Sequence, residues 1–384
     1  MKHFVRNLSI LSCVGSSVFA APFLAIGDNA ELFAIGTASV AHNDNLLLSP
    51  DGAELEDQVF TFVPGFDLQF GKDSLLKGSV TATATLTSYS DNTNLNNQLL
   101  GIGSKASYES GAVKLNGFAS FNELDQATVD VLGAGGRLVE RHVTTAGLNG
   151  EVEASEKISV GSGVSYNKTD YKVAGFVDQE DYTVPVNVYY ELTPKVDVSA
   201  GVTYKKSELD STFVAAGNAT EYDAFYYNVG ARGDFTAKLS GAFSVGYNTR
   251  EANIGPDDDG SFGADASLSY AYTEKTQFTL SLARNYSNAS SNGDSYENSQ
   301  VSIGASSALT ADWSVNASLT YRQLDYQNVA RTDDYIEASL GASYVINAHL
   351  TASASYIFRD QSSDLGAASE FSNNVVSLSI SARY

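Results

Sequence analysis

The chain reads as all-β: a transmembrane antiparallel β-barrel of about 18 strands, with short periplasmic turns and longer extracellular loops. Three observations predict this. Alternating polar and apolar segments run longer than the strands of soluble domains. Their connections alternate between short and long. Six tyrosines, Tyr166, Tyr204, Tyr247, Tyr286, Tyr321 and Tyr356, recur 35 to 43 residues apart, each closing an alternating segment.

Up to eighteen segments of about 11 to 17 residues alternate, with the clearest at 60–70, 76–86, 184–190 and 376–384. Soluble strands usually hold about five or six residues, whereas a tilted strand crossing a bilayer needs roughly 9 to 11. Short turns are expected at 71–74, 110–111, 155–157, 193–195, 236–237, 273–275, 310–312 and 346–348. Longer polar loops are expected at 43–57, 90–96, 124–137, 171–180, 207–220, 251–259, 287–295, 323–332 and 360–372. An even strand count puts both termini on the short-turn side. The first strand, near 31–42, then pairs with the last, 374–384, and no edge remains. A period near forty also suits a propeller or a solenoid. Here two long strands fill each period, and neither alternative explains the alternating loop lengths.

The tyrosines fit a membrane boundary, because Tyr sets an apolar ring in lipid and a hydroxyl among headgroups. They are expected to form an aromatic belt on the loop-bearing side. Residues 1–20 read as a cleaved export signal: Lys2 and Arg6, an apolar stretch from Leu8 to Phe19, then a small-residue site before Ala21. Ile10-Leu11-Ser12-Cys13 weakly resembles a lipoprotein site, but its apolar region is short. The single domain expected is the barrel, 21–384. Cys13 lies in the signal, so a mature chain has neither disulfide nor thiolate chemistry.

Without Lys2 and Arg6, 45 acids face 21 bases, a net charge of −24. Such a surface argues against nucleic acid as a partner, since phosphate binding needs a basic face. Within each strand the apolar register should face lipid, as with Val160, Val164, Phe243, Val245, Val315 and Leu319. The polar register carries candidate lumen charges: Lys77, Lys105, Lys205, Arg232, Asp234, Asp265, Arg322, Glu337 and Arg359. Arg or Lys at mid-membrane on the lipid face costs about 2–4 kcal/mol, so these should point inward. Lys168, Lys206 and Arg284 instead share the tyrosines' register near the loop end, where bases snorkel or meet lipid phosphate. Eighteen strands close a cylinder roughly 36 Å across. Ser, Thr and Gly cannot fill it, and a water-filled channel is the simplest result.

At this point the chain resembles the putative β-barrel porins of Gram-negative outer membranes. The resemblance spans nearly the whole mature chain. It rests on the signal, on Asn43-Asp44-Asn45-Leu46-Leu47, on the hairpin array and on the ending Leu378-Ser-Ile-Ser-Ala-Arg-Tyr384. It implies diffusive uptake of small hydrophilic solutes and contact with outer-membrane lipid and lipopolysaccharide. It also implies delivery by the barrel-assembly machinery, with Leu378, Ile380, Ala382 and Tyr384 as the terminal assembly signal. A homo-oligomer is compatible with it. One departure stands out: many general porins narrow the channel with a long inward loop, and the longest connections here reach only about fifteen residues.

Signals for chemistry are sparse. His42, His142 and His349 lie far apart with no metal spacing, and no nucleophile–base pair stands out. No catalytic, metal or cofactor role is therefore expected. Asp257-Asp258-Asp259-Gly260 lacks the ligand pattern of an EF-hand and reads as a solvated turn. The acidic loops as a group should make the mouth negative and favour cations at low salt. Tyr189 and Tyr226, on the polar register, suit packing more than sugar stacking. The alternative function is a surface-exposed structural or adhesion barrel with a closed lumen.

Overall fold

The structure is a computed structural model. It describes residues 22–127, 137–254, 258–290, 293–327 and 329–384, the side chains of Asp258 and Asp259 excepted. The signal segment, Asp257 and the glycine-rich 133–136 stretch therefore lie outside the described residues.

A short strand, β1 (Leu24–Ile26), precedes eighteen long ones. In order these are β2 (Ala30–Asn43), β3 (Asp57–Phe70), β4 (Leu76–Tyr89), β5 (Asn97–Ser110), β6 (Val113–Gln126), β7 (Val139–Ser155), β8 (Ile158–Tyr171), β9 (Gln179–Thr193) and β10 (Val196–Leu209). Then follow β11 (Glu221–Asp234), β12 (Leu239–Ala252), β13 (Asp258–Ala271), β14 (Thr276–Asn288), β15 (Ser295–Ala308), β16 (Trp313–Tyr326), β17 (Thr332–Asn347), β18 (Leu350–Ser363) and β19 (Phe371–Arg383). Each long strand pairs antiparallel with the next, and β19 returns to β2 from Ile35↔Arg383 to Asn43↔Val375. The sheet is closed.

Strand β1 is too short for alternation to predict it. It pairs with β2 at Leu24↔Leu32 and Ile26↔Ala30, where β2 runs past the end of β19, so it covers three residues of edge. Gly27 turns that hairpin at φ 62°, a conformation with no steric cost for glycine. Pro64 is tolerated in mid-strand: with no N–H to give, it falls in a gap of the β3–β4 ladder between Phe62↔Leu86 and Gly65↔Thr83.

The Asn43-Asp44-Asn45 segment fastens the seam. Asp44 accepts hydrogen bonds from the backbone N–H of Asn374 at 2.6 Å and its side-chain amide at 2.7 Å. The Asn45 amide donates to the carbonyls of Ser49 and Ser372, and Asn373 donates to Asn43 Oδ1. Segments over 300 residues apart in sequence are thus tied at the top of the closing pair. At its other end Ala34 and Tyr384 exchange both backbone hydrogen bonds, at 2.7 and 2.9 Å.

Two registers divide the wall. Phe60, Phe62, Leu100, Ile102, Leu148, Val164, Val229, Val245, Ile303, Leu319, Leu340 and Leu378 stand exposed on one face. The other face bears hydroxyls paired across strands: Ser302–Thr320, Ser318–Ser339, Ser343–Ser353, Ser355–Ser377 and Thr37–Ser381, at 2.6 to 3.1 Å. Ion pairs spanning several strands lie on this second face, so it is the inside. An apolar exterior around a hydroxylated interior reverses a soluble domain and suits lipid outside with water within.

Candidate functional site

The functional candidate is the lumen and its mouth. On the periplasmic third of the wall, Arg232 of β11 donates from both Nη atoms to Glu151 of β7, at 2.7 and 2.8 Å, and from Nε to Asp197 of β10 at 2.9 Å. Its guanidinium lies 3.5 Å from the centroid of the Tyr189 ring. That ring is accommodated because Gly161 lies beneath it; a Cβ there would stand 3.0 Å from a ring carbon. Ser159 adds a hydrogen bond to Glu151. The cluster thus holds two carboxylates around one guanidinium, with Lys114 of β6 in register opposite Glu151.

Other inward charges pair locally. Lys205 approaches Asp181 at 3.3 Å, beside the hydroxyl of Ser207. Arg322 donates to Asn298, and Arg359 to Glu337 and Asn373, while Tyr335 also donates to Glu337. Lys77 and Lys105 stand exposed on the inner register near the periplasmic side. Asp234 ends β11, and Asp265 lies opposite Ser244. Tyr226 covers Gly263 and shares a hydrogen bond with Ser244. Sequence reading missed Glu151, Asp181, Asp197 and the pair Arg383–Asp67 at 2.8 Å. The signal was present: each falls on the polar beat of its strand, close to a turn where charge looks ordinary.

On the lipid face, the tyrosine hydroxyls recur in one arrangement. Tyr204 donates to Asp223, Tyr321 to Asp334 and Tyr356 to Asn374, each on the following strand. The rings of Tyr166 and Tyr182 pack at a tilt, with centroids 5.1 Å apart. Lys168, Lys206 and Arg284 are all ion-paired, with Glu180, with Glu208 and Glu221, and with Glu297. A second set of aromatics lies towards the short turns: Tyr190, Tyr270, Tyr272, Trp313, Tyr344 and Tyr384. Trp313 and Tyr321 are eight residues apart on β16, roughly 20 Å along the axis of a tilted strand, close to the height of an apolar membrane band.

The apolar clusters gather at the loop-bearing end. One holds Val139 and Phe176; a second holds Val177, Leu209, Ala219 and Tyr222; a third holds Ala289, Tyr296, Leu324 and Tyr326. Loops from separate parts of the rim meet there. The N–H of Val177, between β8 and β9, donates to the carbonyl of Ser290, between β14 and β15, at 2.6 Å. Asn218 donates to Asp294, and the Tyr222 hydroxyl to the carbonyl of Gly293. Arg250 of β12 donates to Ser295 and Asn288, with its guanidinium over Tyr222 at 3.8 Å. In the same region burial pushes the Asp178 carboxyl up from its ordinary value; repulsion from Asp170 and Asp210 adds to this, against the N–H of Tyr171. Six of eighteen strand steps separate β9 from β15, roughly 30 Å across a cylinder of this size, so these loops fold inward over the mouth. Narrowing by short connections was not legible in loop length.

Among the described residues, no group of three or more His, Cys, Asp or Glu is placed to hold a metal ion.

A closed antiparallel cylinder with a lipid-facing apolar band, a hydroxylated charged interior and loops folded at one end defines an outer-membrane β-barrel. Its family follows from the match of a family model to residues 77–384: the chain belongs to the family described as putative beta-barrel porin 2. No curated protein matches the chain. Among solved structures, the chain is similar to OccAB2 of Acinetobacter baumannii, at 11% identity, 93% of this chain, 98% of that one and a TM-score of 0.49. It is also similar to the outer membrane protein opdK of Pseudomonas aeruginosa, at 10% identity over 92% and 99% of the two chains, with a TM-score of 0.47. The siderophore receptor PirA of Pseudomonas aeruginosa is similar too, at 10% identity over 92% and 80%, with a TM-score of 0.48.

Proposed function

We propose that the protein is a passive channel for small hydrophilic solutes with a preference for cations. The observation that carries this is the composition of the inside. Almost every buried apolar side chain gathers near the loops, Phe33 being the main exception, while the wall below is Ser, Thr, Asn and paired charge. A cylinder roughly 36 Å across with that lining holds water. The cation preference is supported by the acidic loops outside. Cleavage after residue 20, delivery by the barrel-assembly machinery and contact with lipopolysaccharide belong to the same reading. So do the roles of the inner charges as lumen charges, of Tyr166, Tyr204, Tyr247, Tyr321 and Tyr356 as a belt that Tyr286, with its ring beside Arg250, does not join, and of the C-terminal segment as an assembly signal.

Planar-bilayer recording tests it. Stepwise conductance is expected, with a zero-current potential in a potassium chloride gradient that has the sign of cation selectivity and shrinks as salt rises. An anion-selective potential overturns the preference. Insertion without steps favours the closed structural or adhesion barrel.

A further inference from the structure

Bases on the inner wall are mostly matched to acids. Lys205 meets Asp181, Arg232 meets Glu151 and Asp197, Arg359 meets Glu337, and Arg383 meets Asp67. Lys77 of β4, Lys105 of β5 and Lys114 of β6 depart from this. They form neither an ion pair nor a side-chain hydrogen bond with any described residue. The chain as a whole has 45 acids for 23 bases, so a group of unmatched lysines is a local feature with a local cause. Glu109 and Glu151 stand opposite Lys114 in register, but the Glu151 oxygens are taken by Arg232 and Ser159.

The ladder gathers the three lysines around one point. Lys77 lies opposite Ser107 of β5, and Ser107 lies opposite Asn116 of β6. On the same face, Lys105 is two residues above Ser107 and Lys114 two residues below Asn116. From strand spacing and rise, the Cα atoms of Lys77 and Lys105 stand roughly 8 Å apart, and those of Lys77 and Lys114 roughly 12 Å. A recess of about 330 Å³ opens here, with Lys77, Ser107, Glu109, Lys114 and Asn116 in its lining. Its size is at the lower end of small-solute sites. It adjoins the turn between β3 and β4, at the periplasmic end and far from the acidic loops.

The lining fixes the kind of solute. Lysine ammonium groups only donate, the Ser107 hydroxyl and Asn116 amide can donate, and an ionised Glu109 only accepts. A cation is repelled by the lysines, and a neutral sugar leaves them without a charged partner. An anionic group beside a hydroxyl satisfies both the bases and the carboxylate.

We propose that this recess binds small hydroxylated anions of the sugar-phosphate type at the periplasmic end of the lumen. Lys77 and Lys114 hold the anionic group, Lys105 adds positive potential above it, and Glu109 accepts a hydrogen bond from a solute hydroxyl. The acidic loops enrich cations at the outer mouth, so the two preferences act at opposite ends of the wall. An effect on current rests on the channel reading above; binding does not.

Phosphorus NMR of glucose 6-phosphate with the full chain folded in detergent micelles, at low salt, tests the site. Saturable line broadening is expected, and inorganic phosphate should bind more weakly. Lys77→Gln combined with Lys114→Gln should weaken binding about fivefold or more, as charge-assisted contacts are lost. Lys195→Gln, at another periplasmic turn, should leave binding unchanged. Glu109→Ala should reduce the preference for glucose 6-phosphate over inorganic phosphate. In planar bilayers, glucose 6-phosphate should lower potassium current at smaller concentrations from the periplasmic side than from the loop side. Absence of saturable broadening overturns the site, and so does equal weakening by Lys195→Gln, which would mean diffuse attraction. An unchanged preference in Glu109→Ala overturns the hydroxyl contact. Saturable binding in a protein that never conducts upholds the site and overturns the channel reading.

Discussion

Phe243→Arg is expected to unfold the barrel more readily than any other single exchange considered. Phe243 stands 43% exposed on the lipid face, opposite Ala231 and Ala266. It lies four residues from Tyr247 and four from Leu239, which is itself opposite Tyr270, so it sits midway between the two aromatic rows. A base at mid-membrane on the lipid side costs about 2–4 kcal/mol, and no acid is in register to meet it. Ser244→Arg, one residue away on the inner face, lies opposite Asp265 and should cost far less. Urea titration of the two variants folded in lipid vesicles measures the difference. Equal losses would mean that the faces have been assigned wrongly.

Arg232→Ala is expected to change selectivity and stability together. It leaves Glu151, whose side chain is 7% exposed, and Asp197 without their shared cation. Breaking a dry buried pair costs about 3–5 kcal/mol; a lumen reached by water should reduce that to about 1–3 kcal/mol. The inner wall also gains one net negative charge, so the zero-current potential should move further towards cations. Arg232→Lys should restore the charge but not the fork that grips two carboxylates, giving nearly normal selectivity with only partial recovery of stability. An unchanged potential in Arg232→Ala would remove this cluster from the conduction path.

The strands were readable because alternation is local. A residue such as Val245 or Ser244 announces its face by its neighbours, and a slip of one position would invert the whole strand. Closure was readable too, from the parity of the strand count, although the barrel strands extend further than expected, as with β2 from Ala30 to Asn43. Asn43-Asp44-Asn45 stood out in the sequence, yet its role in tying β19 to β2 depends on partners more than 300 residues away. The meeting of Glu151 with Arg232 was hidden for the same reason: periodicity gives the face of each and says nothing of strand tilt or reach across the wall. Tyr286 is the most instructive position. Its spacing matches the tyrosine row, while its ring lies 5.6 Å from the Arg250 guanidinium, above the point where β13 and β14 cease to pair.

The central claim is an open, water-filled lumen, and liposome swelling tests it most directly. Liposomes carrying the protein should swell in isotonic sugars at rates that fall steadily with sugar size, well above protein-free controls. Swelling no faster than in the controls, for even the smallest sugar, would contradict an open lumen.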